Sequence, residues 1–276
     1  MPIELFKAKI WNYFTDHQRS FVWREHISPY KVVVSELMLQ QTQTYRVEPK
    51  FIEFVSVFPD FASLAQASFS EILRLWKGLG YNRRARYLQQ IAQQITEKHA
   101  GELPCDPKIL EDLPGIGPAT ARSIITFAYN IPTVFIETNI RAVFLEHFFA
   151  GEAKVHDKQI LPLIEQSLDH AQPRLWYYAL MDYGVHLKKL HNNPSRRSAH
   201  HVLQSQFKGS NRQVRGKILE LLLADSRLSQ QQICASISKS LELFDQSEQM
   251  VDKALLQLCE EKSVRKSDEY FFELNN

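Results

Sequence analysis

The sequence predicts an all-α protein, and three observations carry that reading. Apolar residues recur at three- and four-residue spacing through most of the chain. No sustained apolar–polar alternation of the strand type precedes the C-terminal region. A hydrophobic content of 44% over 276 residues fills the cores of two or three modest lobes without disulfides.

The periodicity places helices over residues 3–15, 29–42, 44–58, 71–76, 82–99 and 107–113, then over 118–129, 138–149, 157–170 and 173–190. Pro29 and Pro118 suit first-turn positions, where a missing N–H costs nothing. Residues 191–210 are polar, basic and contain Pro194, and they read as a linker or a phosphate-tied loop. Beyond them the pattern changes. Short helices are expected over 211–224, 229–238 and 247–262, and a hairpin over 263–274 turning near Ser267, Asp268 and Glu269. Three helices and a hairpin suggest a small winged-helix-like domain, so the expected division is 1–190, 191–210 and 211–276.

The net charge of +2 hides an uneven distribution. Residues 183–217 hold eight Lys and Arg, among them Lys188, Arg196, Arg197, Lys208, Arg212 and Arg215, and no Asp or Glu. Residues 218–276 hold 6 basic against 11 acidic side chains, a net of −5. A basic seam therefore precedes an acidic C-terminal lobe. Cys105, Cys234 and Cys259 are widely separated, with no C-x-x-C pair for zinc and too few thiolates for a four-cysteine cluster, so neither metal nor cofactor is expected. The N-terminal residues lack the pattern of a signal peptide, and no apolar run approaches the roughly 20 residues of a membrane span. The expected partner is not a membrane.

The strongest local signal is LPGIGPATA, residues 113–121, between two helical patterns. Its glycines permit a tight turn whose N–H groups, with the following helix N-terminus, can face a phosphate. This is the helix-hairpin-helix signature, although alone it would also describe an ordinary αα-turn. Upstream, KVVVSELMLQQTQ over residues 31–43 surrounds Glu36 with apolar neighbours, which raises a carboxyl pKa and readies it to donate a proton near neutral pH.

Set in order, WR and PYKV (residues 23–24 and 29–32), SELMLQQTQ (35–43), WKGLGY (76–81), LPGIGPATA (113–121) and IETNIR (136–141) resemble the adenine DNA glycosylase family, within the superfamily of the endonuclease III enzymes. The resemblance covers roughly residues 6–189 and implies a two-lobed helix-hairpin-helix glycosylase fold. It implies that Glu36 protonates the departing base and that Glu137, in the place of the family's catalytic aspartate, faces the sugar with Asn139 beside it. Tyr129 falls where relatives place a tyrosine near the carboxylates, and Arg24 and Asp182 fall near the bound base. The resemblance further implies that Gln41 and Tyr81 enter the duplex where the base is extruded, with Gln40 a DNA-binding candidate beside them. It implies that Gly115, Ile116, Gly117, Ala119 and Thr120 clamp a phosphate, and Arg196, Arg197, Lys208, Arg212 and Arg215 are expected to add phosphate contacts.

The departures carry expectations too. Ala119 stands where strand-cleaving relatives have a lysine nucleophile, which implies a monofunctional enzyme. Asn82 replaces the second aromatic of the family's GLGYY. Beyond Leu190 the expectation is a variant with neither the four-cysteine loop nor the MutT-like domain of relatives. The expected function is removal of adenine mispaired with guanine or 8-oxoguanine from double-stranded DNA. Excision of another damaged or mismatched base, and a silent structure-specific DNA-binding protein, stay open as alternatives. The expected state is a monomer, cytoplasmic and nucleoid-associated in a bacterium or nuclear in a eukaryote, with a protein partner conceivable at the C-terminal lobe.

Overall fold

Residues 1–191, 193–203, 206–241, 247–268 and 270–276 are described by the computed structural model of the chain. The order begins with α1 (Ile3–His17), α2 (Val22–Glu25), α3 (Pro29–Leu39), α4 (Thr44–Val57), α5 (Phe61–Gln66), α6 (Phe69–Trp76) and α7 (Arg83–Lys98). It continues with α8 (Pro107–Glu111), α9 (Pro118–Tyr129), α10 (Thr138–Phe148), α11 (Asp157–Ser167) and α12 (Pro173–Leu190), then a 3-10 turn over Pro194–Arg197. The C-terminal residues form α13 (Asn211–Ala224), β1 (Arg227–Ser229), α14 (Gln230–Leu241), α15 (Ser247–Glu260), β2 (Val264–Lys266) and β3 (Phe271–Leu274).

Two compact units arise from interleaved segments. Residues 1–36 and 104–203 form one, and residues 37–103 and 204–276 the other. These units cut across the sequence-based division at 190 and 210, because the C-terminal residues build their unit jointly with residues 37–103.

In the first unit, α10 packs along α12 around an aromatic core. The ring of Phe6 lies 5.1 Å from Phe144, 5.0 Å from Phe148 and 6.2 Å from Trp176. The approach of the two helices is closest at Gly184, where an added Cβ would stand 2.3 Å from the Asn139 carbonyl oxygen. Glycine is therefore required by packing at that position. Residues 194–199 are tied to the same unit: Val155 N donates to Arg197 O at 3.1 Å and Ala199 N to Val155 O at 2.9 Å.

The second unit is organised by two buried arginines of α7. Arg84 Nη1 donates to the carbonyls of Leu37, Met38 and Gln40, and Nη2 to Thr42 Oγ1 and the Gly80 carbonyl, all between 2.7 and 3.0 Å. This fan collects the carbonyls that α3 leaves unsatisfied at its end, which is why α3 stops at Leu39 and not at the expected 42. Arg86 donates to the Lys262 and Asn275 carbonyls, and Ser70 N to Asn276 Oδ1 at 2.8 Å. The C-terminal strands are thus anchored on α6 and α7.

The helices α2 and α5 were not anticipated, because each spans barely one turn and carries no periodicity to read. Asp60 and Ser68 supply capping boxes that start α5 and α6. The strand β1 also lies outside the expected three helices and hairpin. Its three residues pair antiparallel with β3, Leu228 opposite Phe272, and the sheet order is β1-β3-β2. The expected turn residue Glu269 lies outside the described residues.

Candidate active site

Glu36 sits on α3, half-buried as a residue, with its carboxyl enclosed by protein. Ser123, from the second turn of α9, donates its hydroxyl to Glu36 Oε2. Burial pushes the carboxyl up to about 7, the serine bond opposes this, and the nearby charge of Glu137 adds to the rise. The sequence-based expectation of a proton donor near neutral pH thus has a geometric basis.

Glu137 has the opposite environment. It is the N-cap of α10, and Oε1 accepts from the backbone N–H groups of Asn139 at 2.8 Å and Ile140 at 3.0 Å. Asn139 Nδ2 donates to Oε2 at 3.3 Å. The side chain thus satisfies two of the first-turn N–H groups that α10 cannot bond itself. A glutamate in place of aspartate therefore finds a defined seat, its longer side chain folding back over the first turn of α10. Tyr129 closes α9 and is followed by Asn130 in the left-handed region at φ 55°.

The hairpin joins α8 to α9. Gly115 has φ 77°, Gly117 is the N-cap of α9 and Pro118 its first residue. The buried Ile116 anchors the turn, while Gly115, Gly117 and Ala119 face solvent and Thr120 is half-buried. No side chain caps α9, so its first-turn N–H groups point outward as an anion-binding terminus does. The contribution of Ile116 is its buried side chain, which holds the turn in place.

Arg24 and Asp182, both expected beside the bound base, bind each other. Arg24 Nη1 and Nη2 donate to the two Asp182 oxygens at 2.9 Å each, and Arg19 adds its backbone N–H at 2.9 Å and Nε at 2.8 Å. Asp182 is 1% exposed with both oxygens engaged, so the base contact expected of it gives way to the task of holding Arg24. The Arg24 guanidinium stacks 4.2 Å from the Tyr178 ring. Arg24 and Tyr178 line a cavity of about 320 Å³ with Ile27, Asn130, Arg174 and Leu175.

Of the basic seam, Arg197 donates to the Leu145 and Phe149 carbonyls and to Glu146 at 2.8–3.0 Å. It caps the C-terminal end of α10, which corrects the expected phosphate contact. Arg196 is exposed on the same turn.

In the second unit, Gln41 adopts φ 55° and Tyr81 φ 48°, left-handed conformations that non-glycine residues seldom take. Gln40 is half-buried, with its carbonyl bound by Arg84. Arg212 donates to the Tyr81 hydroxyl and lies 4.9 Å from its ring, so this cation is engaged with Tyr81. Arg215 forms a two-pronged pair with Glu261, which likewise corrects its expected phosphate contact, while Lys208 is exposed. Summed charge along the sequence could not distinguish these fates, because the partners of Arg197, Arg212 and Arg215 are distant in sequence.

Ser123 and Arg19 escaped the sequence reading, and Lys188 was counted only as part of the seam. A lone serine among the apolar residues of α9 is the signal that could have revealed Ser123. Among the described residues, no group of three or more His, Cys, Asp or Glu side chains could hold a metal ion, and no helix is long and apolar enough to cross a membrane.

Comparison with known proteins agrees with this geometry. Residues 34–166 match the HhH-GPD superfamily of base excision DNA repair proteins. The adenine DNA glycosylase of Mycolicibacterium smegmatis is 30% identical over 80% of this chain and 80% of its own length. That of Buchnera aphidicola is 32% identical over 70% of this chain and 56% of its own, and that of Mycobacterium tuberculosis 37% over 51% and 47%. The chain thus spans about half the length of several curated relatives it matches. A thermostable thymine-DNA glycosylase has the same fold, with a TM-score of 0.59 at 23% identity over 66% of this chain and 85% of that one. Motifs, fold and relatives together show that the chain belongs to the adenine DNA glycosylase family of helix-hairpin-helix base-excision repair proteins.

Proposed function

We propose that the protein is a monofunctional DNA glycosylase that hydrolyses the N-glycosidic bond of adenine mispaired with guanine or 8-oxoguanine. The observation that carries this reading is the pairing of an enclosed Glu36, raised to about 7, with a helix-capping Glu137. Loss of the base leaves an oxocarbenium-like sugar and needs a proton on the leaving purine. Glu36 donates that proton, preferably to N7 of adenine. The ionised Glu137 faces the developing positive charge on the sugar. Water then adds to the anomeric carbon and gives up a proton, leaving an abasic sugar with the strand intact.

The first-turn N–H groups of α9 hold a backbone phosphate near the extruded nucleotide, and the cost of extrusion is least at a mispair. Ala119 offers no amine to attack the sugar, consistent with hydrolysis alone. Cys105, Cys234 and Cys259 fall short of the four thiolates an iron–sulfur cluster takes, so every step is assigned to side chains of this chain. Residues 211–276 serve as a packing lobe, a reading supported by the Arg86 bonds to Lys262 and Asn275. The protein works where the DNA is, in the nucleoid of a bacterium or the nucleus of a eukaryote.

The test is a panel of duplexes, each with one mispair or lesion, incubated with excess protein and then treated with alkali. Alkali-dependent cleavage at adenine opposite guanine or 8-oxoguanine is expected. Cleavage confined to another base would overturn the substrate assignment, and none anywhere would overturn the activity.

A further inference from the structure

Lys188 stands in the last turn of α12, half-buried, with Nζ 2.7 Å from Asn139 Oδ1. An ammonium carries donors and no acceptor. The contact therefore decides which end of the Asn139 amide points where: oxygen to Lys188, nitrogen to Glu137. In that orientation Nδ2 donates to Glu137 Oε2 at 3.3 Å, while Oε1 takes the N–H groups of Asn139 and Ile140. Both carboxylate oxygens are then engaged, and the side chain cannot rotate away from the first turn of α10.

Charge follows the same line. Glu137 and Arg141 act on Lys188, and Glu137 also acts on Glu36. Arg141 binds Asp157 through Nε and Nη2, both at 2.7 Å. Burial disfavours the Lys188 ammonium and the nearby Glu137 charge supports it.

We propose that Lys188 is a positioning residue: its ammonium sets the Asn139 amide, and through it holds the Glu137 side chain seated on the end of α10. This rests on the reading of Glu137 as the sugar-facing carboxylate. The role is distinct from that of a phosphate contact, because Lys188 turns inward to Asn139.

Lys188→Met keeps the apolar stem and removes the charge. Single-turnover base release is expected to slow by on the order of 10- to 100-fold, the size of effect that misplacing a reacting group produces. Duplex affinity and thermal midpoint should stay near the parent values. Lys188→Arg should recover most of the rate. A Lys188→Met rate within about two-fold of the parent, or equal losses of rate and thermal midpoint in both variants, overturns the proposal.

An NMR titration of the Lys188 ammonium reads the same coupling without substrate. Glu137→Gln should lower its pKa, and no change would count against the coupling. An inactive parent protein with an intact NMR coupling would instead count against base excision alone, so the two failures are separable.

Discussion

The Ser123 hydroxyl lies between two acceptors, the Glu36 carboxyl and the Thr120 carbonyl, the latter at 3.0 Å. It has one proton to give. When Glu36 is ionised, Ser123 donates to it and the Thr120 carbonyl keeps its helical N–H partner within α9. When Glu36 is protonated, its own O–H donates to Ser123 Oγ, and Ser123 donates to Thr120, so every group is satisfied. The bond that Ser123 donates supports the ionised form and burial the neutral one; burial is the larger effect, so Glu36 stays able to deliver a proton near pH 7.

Glu36→Gln should abolish base release while duplex affinity stays within a few-fold, because the transferable proton is lost and little surface changes. In the parent protein, single-turnover release should decline as pH rises through about 7, where Glu36 ionises. Substantial release by the variant would remove Glu36 from the acid role.

The same group makes stability depend on pH. Its folded pKa, about 7, lies above the ordinary value of 4.5, so folding binds a proton between these limits. The stability this confers is fully present below 4.5 and is lost as pH rises through 7. At pH 8 the buried carboxylate costs up to about 3 kcal/mol, which Glu36→Gln should return as a higher melting midpoint. The gain should shrink steadily towards pH 4.5, and a pH-independent difference would contradict it.

Glu137→Ala should be inactive and should also lose the cap of α10, at a cost of about 1 kcal/mol in urea unfolding. Glu137→Ser offers a capping hydroxyl without the carboxylate. It should restore part of the stability and none of the activity, separating the two roles.

Gly184→Ala places a Cβ against the backbone of Asn139, which cannot swing aside as a flexible side chain would. We expect a loss of about 1–3 kcal/mol from overpacking, together with slower base release, because the displaced residue holds Glu137. Calorimetry and single-turnover kinetics on one preparation check both.

Two neighbours in the basic stretch should behave differently. Lys208→Ala should weaken matched and mismatched duplexes alike and reduce the salt slope by about one unit. Arg197→Ala should leave the salt slope unchanged and lower stability, since its guanidinium binds the carbonyls that end α10. A salt-slope change for Arg197→Ala alone would return it to the DNA surface.

The helices of both units were legible where their signals are local. Pro118 and Tyr129, for example, bound α9 where the hairpin glycines and the apolar period place it. Glu36 was legible too, because its apolar neighbours lie on its own helix. Pairings across the chain were not. Arg24 and Asp182 are 158 positions apart, and nothing in either segment shows that the second will neutralise the first. The strand β1 was hidden for a related reason: three residues have no period of their own, and only pairing with β3 makes them a strand.

Arg86 ties synthesis order to folding. Its carbonyl partners, on Lys262 and Asn275, follow it by 176 and 189 positions. At ordinary translation rates α7 leaves the ribosome about 10–40 s before those carbonyls do. In that interval the segment 37–103 has its apolar face and a guanidinium waiting for acceptors, while residues 104–203 can already fold upon residues 1–36. The unit that carries Tyr81 is therefore the last to close, and it is the one a nascent-chain chaperone has the longest time to find.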